Sequence, residues 1–299
     1  MLARLCGGRV PVLGADGPPP AATPSDGSGA ASPDRARRAR GADGAGPGSG
    51  PRALALDATL GVPGLPQSGT GQAALLTGES TAELYGRHFG PWTPVRLRPL
   101  VEERSVLRRA MEAGRSVAFA NAYPKGWPGP RGGRRIAAPP LAARGAGLLV
   151  RHEEALEAGD AVSSEIVNDG WRRHLGFDHL PDVAPEEAGA NLGRIASRHD
   201  LTLFAHYTTD TAGHRGTMAD AVGALERVDA FLGGAVASMP AATMLFVASD
   251  HGNVEDVRSG HTLNPALGIV AGLPASDVPK AFPADLRDVA AFVLGALGA

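Results

Sequence analysis

The chain has 299 residues, is 43% hydrophobic and carries a formal net charge of -2. Its length and apolar content suit one large domain or a core with a smaller insert. The nearly balanced charge argues against partners such as nucleic acid or an acidic membrane surface. The single cysteine, Cys6, excludes an internal disulfide framework and suits a reducing compartment. The sequence also lacks a clear signal peptide and a membrane-spanning run, so we predict a cytoplasmic protein.

The first 51 residues divide into a short apolar start and a long polar stretch. Arg9 to Leu13 (RVPVL) predicts a short strand. From residue 14 to 51 the chain is mostly Gly, Pro, Ala, Ser and Asp, with a basic patch at Arg35 to Arg40. This composition cannot bury enough apolar surface to offset the entropy of ordering, so residues 14–51 are predicted to be a disordered loop.

A glycine-rich turn follows the next predicted strand, Ala53 to Asp57. The turn reads QSGTGQ from Gln67 onward, and a helix is predicted directly after it. A serine in a tight turn that opens a helix places its hydroxyl beside free backbone N–H groups. Ser68 is therefore a candidate nucleophile or phosphate contact, although the same residues also suit an ordinary loop.

Strands and helices alternate from Pro185 to the end of the chain. Predicted helices cover 185–199, 216–236 and 285–297, and predicted strands cover 201–205, 244–248 and 268–271. This alternation indicates an α/β fold with a mostly parallel sheet sandwiched by helices. The region from 95 to 190 is less regular. Its histidines, His152, His174 and His179, have no partner at metal-ligand spacing and are predicted to be surface or packing residues.

Candidate metal ligands follow two of these strands. Asp210 and His214 lie four residues apart in a predicted loop after one strand, Asp250 and His251 directly follow the next, and His261 comes ten residues later. If the strands are neighbours, their carboxyl ends bring all five side chains to one crevice. Imidazole and carboxylate groups suit two borderline divalent cations such as Mn²⁺ or Zn²⁺. Two such ions could hold the attacking and leaving oxygens of a phosphoryl displacement.

Four motifs, GLPQSGTGQ, TDTAGH, SDHGNVED and HTLNP, resemble those of the alkaline-phosphatase-like metalloenzyme superfamily. The likeness is strongest to its branch of cofactor-independent phosphoglycerate mutases and phosphopentomutases, over residues 53–90 and 190–272. The resemblance implies an alkaline-phosphatase-like core built from residues 1–94 and 190–299. Residues 95–189 would then form a small inserted cap, where Arg131, Arg134 and Arg135 could bind a phosphate or carboxylate or belong to a solvated loop.

The resemblance also implies roles for the candidate residues. Asp210, His214 and His261 would hold one divalent ion, while Asp250, His251 and Ser68 would hold the other. Ser68 would be the nucleophile, with Thr70 as the second choice. The ions would lower the pKa of the Ser68 hydroxyl, which would attack a phosphorylated small molecule and form a phosphoserine. Transfer to water would make a phosphatase, and transfer to a second substrate hydroxyl would make a mutase.

One family feature has no clear counterpart. The resemblance implies an opening apolar strand that ends in Asp-Gly, and Asp16-Gly17 is a candidate substitute. The alternative hypothesis is a catalytically impaired relative that binds metal or a phosphorylated ligand without turnover. A sulfatase-like hydrolase is disfavoured, because the sequence around Ser68 lacks the Cys-x-Pro-x-Arg or Ser-x-Pro-x-Arg pattern of such enzymes.

Overall fold

The computed structural model describes residues 51–129, 133, 135–272 and 281–299. The predicted strand at 9–13, the predicted disorder of 14–50 and the candidate Asp16 lie outside these ranges, as do Cys6, Arg131 and Arg134.

The described residues form two small β-sheets. The strands are β1 (Arg52–Leu56), β2 (Val117–Phe119), β3 (Leu201–Leu203), β4 (Leu245–Ala248) and β5 (Ala266–Ala271). One sheet has the order β1-β5-β4, and the other pairs β2 with β3. The predicted α/β class is confirmed, and β2 and β3 are parallel with Val117 opposite Leu201.

The predicted parallel arrangement is wrong for β5. This strand runs antiparallel to both neighbours, with Gly268 opposite Leu54 on β1 and Ala248 on β4. The chain between β4 and β5 forms no helix. Without a crossover helix to carry it back to the starting edge, the chain returns in the opposite direction.

Helices surround the sheets. The α-helices are α1 (Ser68–Thr77), α2 (Thr81–Tyr85), α3 (Arg98–Arg104), α4 (Val106–Glu112), α5 (Ala138–Gly145), α6 (Glu153–Glu157), α7 (Asp169–Leu175), α8 (Pro185–Ala196), α9 (Thr208–Arg215), α10 (Met218–Ser238) and α11 (Asp288–Leu297), with a 3₁₀ turn at Val95–Leu97. None of the described helices is both long and apolar enough to cross a lipid bilayer.

Helices α8 and α10 pack closely and cover one face of the β2–β3 pair. Their apolar stripes, including Ile195 and Phe231, form a core cluster with Ala118 and Ala120. Glycine allows the close approach, because a Cβ at Gly189 would lie 2.7 Å from the backbone nitrogen of Ala235. Helix α10 also contacts α9, which precedes it in the chain.

A second core cluster joins α1, α3, α4, α5 and α11. It is centred on fully buried side chains that include Leu107, Phe119 and Leu141. Residues 95–189 thus supply β2 to a sheet and several helices to this core. Their assignment to a separate cap stays a prediction.

Strands β3 and β4 face a common cavity without pairing to each other. The cavity has a volume of about 1830 Å³ and is lined by residues of both strands. All of β3 and β4 is only half-buried, whereas β2 is fully buried. The two strands are therefore not neighbours in a ladder, yet the chain after each of them reaches the same site.

Candidate metal centre

Ser68 is the first residue of α1. Gln67 before it has an extended backbone (φ -138°, ψ 142°), so the chain turns sharply into the helix. The Ser68 hydroxyl is buried, and its Oγ lies 2.9 Å from Nε2 of His251. The glycine at position 71 permits this closeness, because a Cβ there would lie 2.5 Å from the carbonyl oxygen of Asp250.

The hydroxyl of Thr70, the second-choice nucleophile, is engaged by the backbone. Its Oγ1 donates to the carbonyl oxygen of Gln67 at 3.1 Å and accepts from the N–H of Phe89 at 3.3 Å. Thr70 is fully buried, whereas Ser68 lines the large cavity. Between the two hydroxyls, Ser68 is the one that an entering ligand can reach.

Asp250 and His251 follow β4 with only Ser249 between. His251 is only 3% exposed, and its Nε2 lies 3.7 Å from Oδ1 of Asp250. Ser249 donates its hydroxyl to the carbonyl oxygen of His251 at 2.7 Å, which holds this turn. The other carboxylate oxygen of Asp250, Oδ2, is buried and has no hydrogen-bond partner among the described residues.

Asp210 and His214 lie on helix α9, so the predicted loop is wrong at this place. The segment TTDTAGHR has little apolar periodicity of its own, and its buried residues, Ala212 and Gly213, are small. Tertiary packing therefore decides its structure. The spacing of four residues puts both side chains on one helix face, with Oδ1 of Asp210 3.5 Å from Nε2 of His214.

His261 completes the cluster from the loop after β4. Its Nδ1 donates to the carbonyl oxygen of Pro66 at 2.7 Å, which orients the ring and turns Nε2 toward the other histidines. Nε2 lies 2.7 Å from Nε2 of His214 and 3.7 Å from Oδ1 of Asp210. Its ring also packs against that of His251, with centroids 3.8 Å apart.

The crowding of these groups shifts their pKa values. Burial opposes ionisation of Asp210, but the neighbouring His261, His251 and His214 together lower its pKa. Burial likewise opposes protonation of His261, yet Asp210 and the Pro66 carbonyl raise its pKa. For His214, burial and the other imidazoles outweigh Asp210 and lower the pKa. The carboxylate at the centre is thus held in its charged form.

A second set of polar residues around the cluster had no assigned role in the sequence analysis. These residues are Asn253, Glu255, Thr262 and Asn264. Asn253 donates its side-chain amide to Oδ1 of Asp210 at 2.6 Å, and Glu255 accepts from Thr262 at 2.5 Å and Asn264 at 3.1 Å. Their only signal in the sequence is their position inside the SDHGNVED and HTLNP motifs.

The donor set fits a divalent cation. Three potential ligand atoms lie within 4.8 Å of one another, one each from Asp210, His251 and His261. This group draws on both of the ligand sets that the family resemblance implies. Imidazole nitrogens and carboxylate oxygens are ligands of Zn²⁺ and Mn²⁺, and a cation would also satisfy the orphaned Oδ2 of Asp250.

Comparisons with known proteins bear on the family of the chain. The family model described as the Metalloenzyme superfamily matches residues 182–298, a range that holds all five Asp and His candidates. A 2,3-bisphosphoglycerate-independent phosphoglycerate mutase of Syntrophotalea carbinolica is 36% identical over 99 residues, covering 30% of this chain and 19% of the relative. A mutase with the same name from Paracoccus denitrificans is 34% identical over 132 residues, covering 41% of this chain and 26% of the relative.

The matched part of the chain thus spans no more than about a quarter of these relatives. Among solved structures, the PH0037 protein from Pyrococcus horikoshii aligns with 63% of this chain over 44% of its own chain, at a TM-score of 0.40 and 15% sequence identity. The resemblance predicted from the motifs is nevertheless confirmed: residues 182–298 match the family model of the Metalloenzyme superfamily, and the similar proteins are phosphoglycerate mutases.

Proposed function

We propose that the protein is a metal-dependent phosphomonoester enzyme that acts through a phosphoserine at Ser68. The observation that carries this proposal is the position of the Ser68 hydroxyl, 2.9 Å from His251 and at the wall of the large cavity. A serine buried only for packing does not require three histidines and two aspartates beside it. A serine nucleophile requires such groups, because its hydroxyl must lose a proton in order to attack.

The residues of the chain divide the work. Ser68 presents its Oγ toward the cavity, and its place at the start of α1 puts the positive end of the helix dipole beside an incoming phosphate. Asp210, His214 and His261 would hold one divalent ion, and Asp250, His251 and Ser68 the other. When bound, these ions supply positive charge that favours the ionised serine and the phosphoryl oxygens.

Release of the phosphoryl group can follow two routes. Attack by water on the phosphoserine would make the protein a phosphatase, and attack by a second hydroxyl of the substrate would make it a mutase. The similar proteins that are called phosphoglycerate mutases support a phosphorylated small molecule as the substrate. The open cavity beside Ser68 gives such a molecule room to enter.

Metal content and turnover test the proposal together. The protein is loaded with Mn²⁺ or Zn²⁺, its metal content is measured, and hydrolysis of p-nitrophenyl phosphate is compared with that of Ser68→Ala. We expect about two ions per chain and a loss of turnover of at least about 1,000-fold in the variant. Ser163→Ala is the matched control, because Ser163 is also buried but lies outside the cavity.

The outcomes separate the proposal from its alternatives. Equal turnover in wild type and Ser68→Ala would overturn the assignment of the nucleophile, and Thr70→Val would then test the second choice. Metal binding without any Ser68-dependent turnover would instead indicate a relative that binds a ligand but does not catalyse.

A further inference from the structure

We propose that Asn253 is a positioning residue that fixes the Asp210 carboxylate at the centre of the metal site, and that Glu255 in turn fixes Asn253. The inference rests on the proposed function, since it concerns the same site. It adds two residues, outside the predicted ligand set, that would decide how well the site binds an ion.

Asn253 contacts the Asp210 carboxylate directly. The Nδ2 group of Asn253 donates to Oδ1 of Asp210 at 2.6 Å. That same oxygen lies 3.5 Å from Nε2 of His214 and 3.7 Å from Nε2 of both His251 and His261. One carboxylate oxygen thus faces all three imidazoles, and one amide sets its direction.

The side-chain amide of Asn253 is buried. Asn253 is 5% exposed, so water cannot easily replace it as the donor. Asp210 itself is about one-third exposed on its helix. Without Asn253, this carboxylate oxygen would keep only the three imidazoles, at 3.5–3.7 Å, and would lose its shortest contact.

Glu255 holds the backbone of Asn253 by a hydrogen bond. The backbone N–H of Asn253 donates to Oε2 of Glu255 at 2.7 Å, while Oε1 accepts from Thr262 and Asn264. One carboxylate therefore joins the turn after β4 to the loop that carries His261. The backbone contact from the N–H of Thr262 to the carbonyl of Gly252, at 3.0 Å, closes the same connection.

The contacts of Asn253 also argue against a purely structural role. Its Nδ2 is directed at Asp210, bonding Oδ1 and more weakly the carbonyl oxygen at 3.5 Å. Its Oδ1 is buried and has no hydrogen-bond partner among the described residues. An amide retained only for packing would leave a buried acceptor unpaired, which lowers stability and gives nothing in exchange. Holding a metal ligand in place is a gain that offsets this loss.

The test measures Mn²⁺ binding and stability separately. Wild type, Asn253→Ala and Glu255→Gln are titrated with MnCl₂ by calorimetry, and the melting temperature of each metal-free protein is recorded. Asn253→Ala should raise the Kd for Mn²⁺ by about 10- to 100-fold. Glu255→Gln should raise it in the same direction by a smaller factor, because it keeps the shape and weakens only the support.

Asn168→Ala is the matched control. Asn168 is also a buried asparagine that donates its side-chain amide to a carbonyl oxygen, that of Pro181 at 3.0 Å, but it lies away from the metal cluster. Its loss should lower the melting temperature and leave the Kd for Mn²⁺ within about twofold of wild type. The visible absorption of the Co²⁺-loaded protein should change in Asn253→Ala and not in Asn168→Ala, because it reports the arrangement of the ligands.

The results distinguish failure of the metal site from failure of the positioning role of Asn253. Failure of the wild type to bind Mn²⁺ would overturn the metal site and this inference with it. Tight binding by both wild type and Asn253→Ala would overturn only the positioning role and leave the proposed function standing. If Asn253→Ala does not fold, an unchanged Kd in Glu255→Gln would overturn the inference instead.

Discussion

The two halves of the candidate site are built in different ways. In the β4 half, formed by Ser68, Asp250 and His251, the residues are largely buried and follow directly on a strand or open a helix. In the β3 half, formed by Asp210 and His214, both side chains are more than one-third exposed and lie on the short helix α9. The β4 half is fixed by its own packing, whereas the β3 half takes its geometry from contacts with the chain after β4. A defect in the β4 half should therefore disturb both halves, and a defect near β3 should stay local.

The largest expected effect tests the packing of the β4 half. Gly71→Ala would place a methyl group 2.5 Å from the carbonyl oxygen of Asp250, so α1 or the turn after β4 must move. We expect a loss of about 3 kcal/mol in the free energy of unfolding and weakened metal binding by both halves, measured by urea denaturation and metal titration. Gly223→Ala in α10 is the control, since nothing lies within 4 Å of its Cβ. It should stabilise the protein by up to about 1 kcal/mol. A harmless Gly71→Ala would contradict the idea that backbone packing fixes this half.

The second effect concerns the chain between β3 and α9. Burial, opposed by the hydrogen bond to the Ser164 carbonyl and assisted by Arg227, lowers the pKa of His206 to about 4. Between pH 6.5 and 4 the unfolded chain therefore binds a proton that the folded protein does not, so stability falls as the pH falls through this window. The loss should reach at most about 3 kcal/mol. His206→Asn should flatten the curve of unfolding free energy against pH, and a curve as steep as that of wild type would assign the dependence to other groups.

The smallest effect tests whether damage near β3 stays local. The side chain of Thr217 caps α10 by accepting from the N–H of Asp220, and the Asp220 carboxylate accepts from the Thr217 N–H in return. Thr217→Ala should cost about 1 kcal/mol of unfolding free energy and leave the Kd for Mn²⁺ unchanged. Thr217→Ser keeps the cap and should behave as wild type. A large loss of metal binding in Thr217→Ala would mean that α9 depends on the helix after it more than on Asn253.

The sequence was a good guide to the parts of the site that follow from local pattern. An apolar run followed by Asp-His indicated where β4 ends, and the Gly-rich turn indicated a helix directly after it. The helix in fact begins earlier, at Ser68 within that turn. The structure brings these residues together with His214 and His261, and their roles as ligands and nucleophile stay predictions. The direction of β5 was not predictable from its residues, because the run ALGIVA suits a buried strand in either orientation.

Helix α9 and the Asn253–Glu255 pair were missed for a different reason. The α9 segment has few apolar residues, so its helical form depends on the packing of Gly213 against Asn253. Asn253 is 43 residues from Asp210 in the sequence. Its role depends on a contact between distant parts of the chain, which hydrophobic periodicity does not report.

The separation of β3 from β4 has a consequence for hydrogen exchange. Leu201 donates to Ser116 and Leu203 accepts from Ala120, so both residues face β2. In a parallel ladder the residue between them points the other way, and the Thr202 N–H is thus directed at the cavity. An amide at this depth would ordinarily be among the last to exchange with deuterium. Thr202 should instead exchange faster than Leu201 and Leu203, as an amide on the outermost strand of a sheet does.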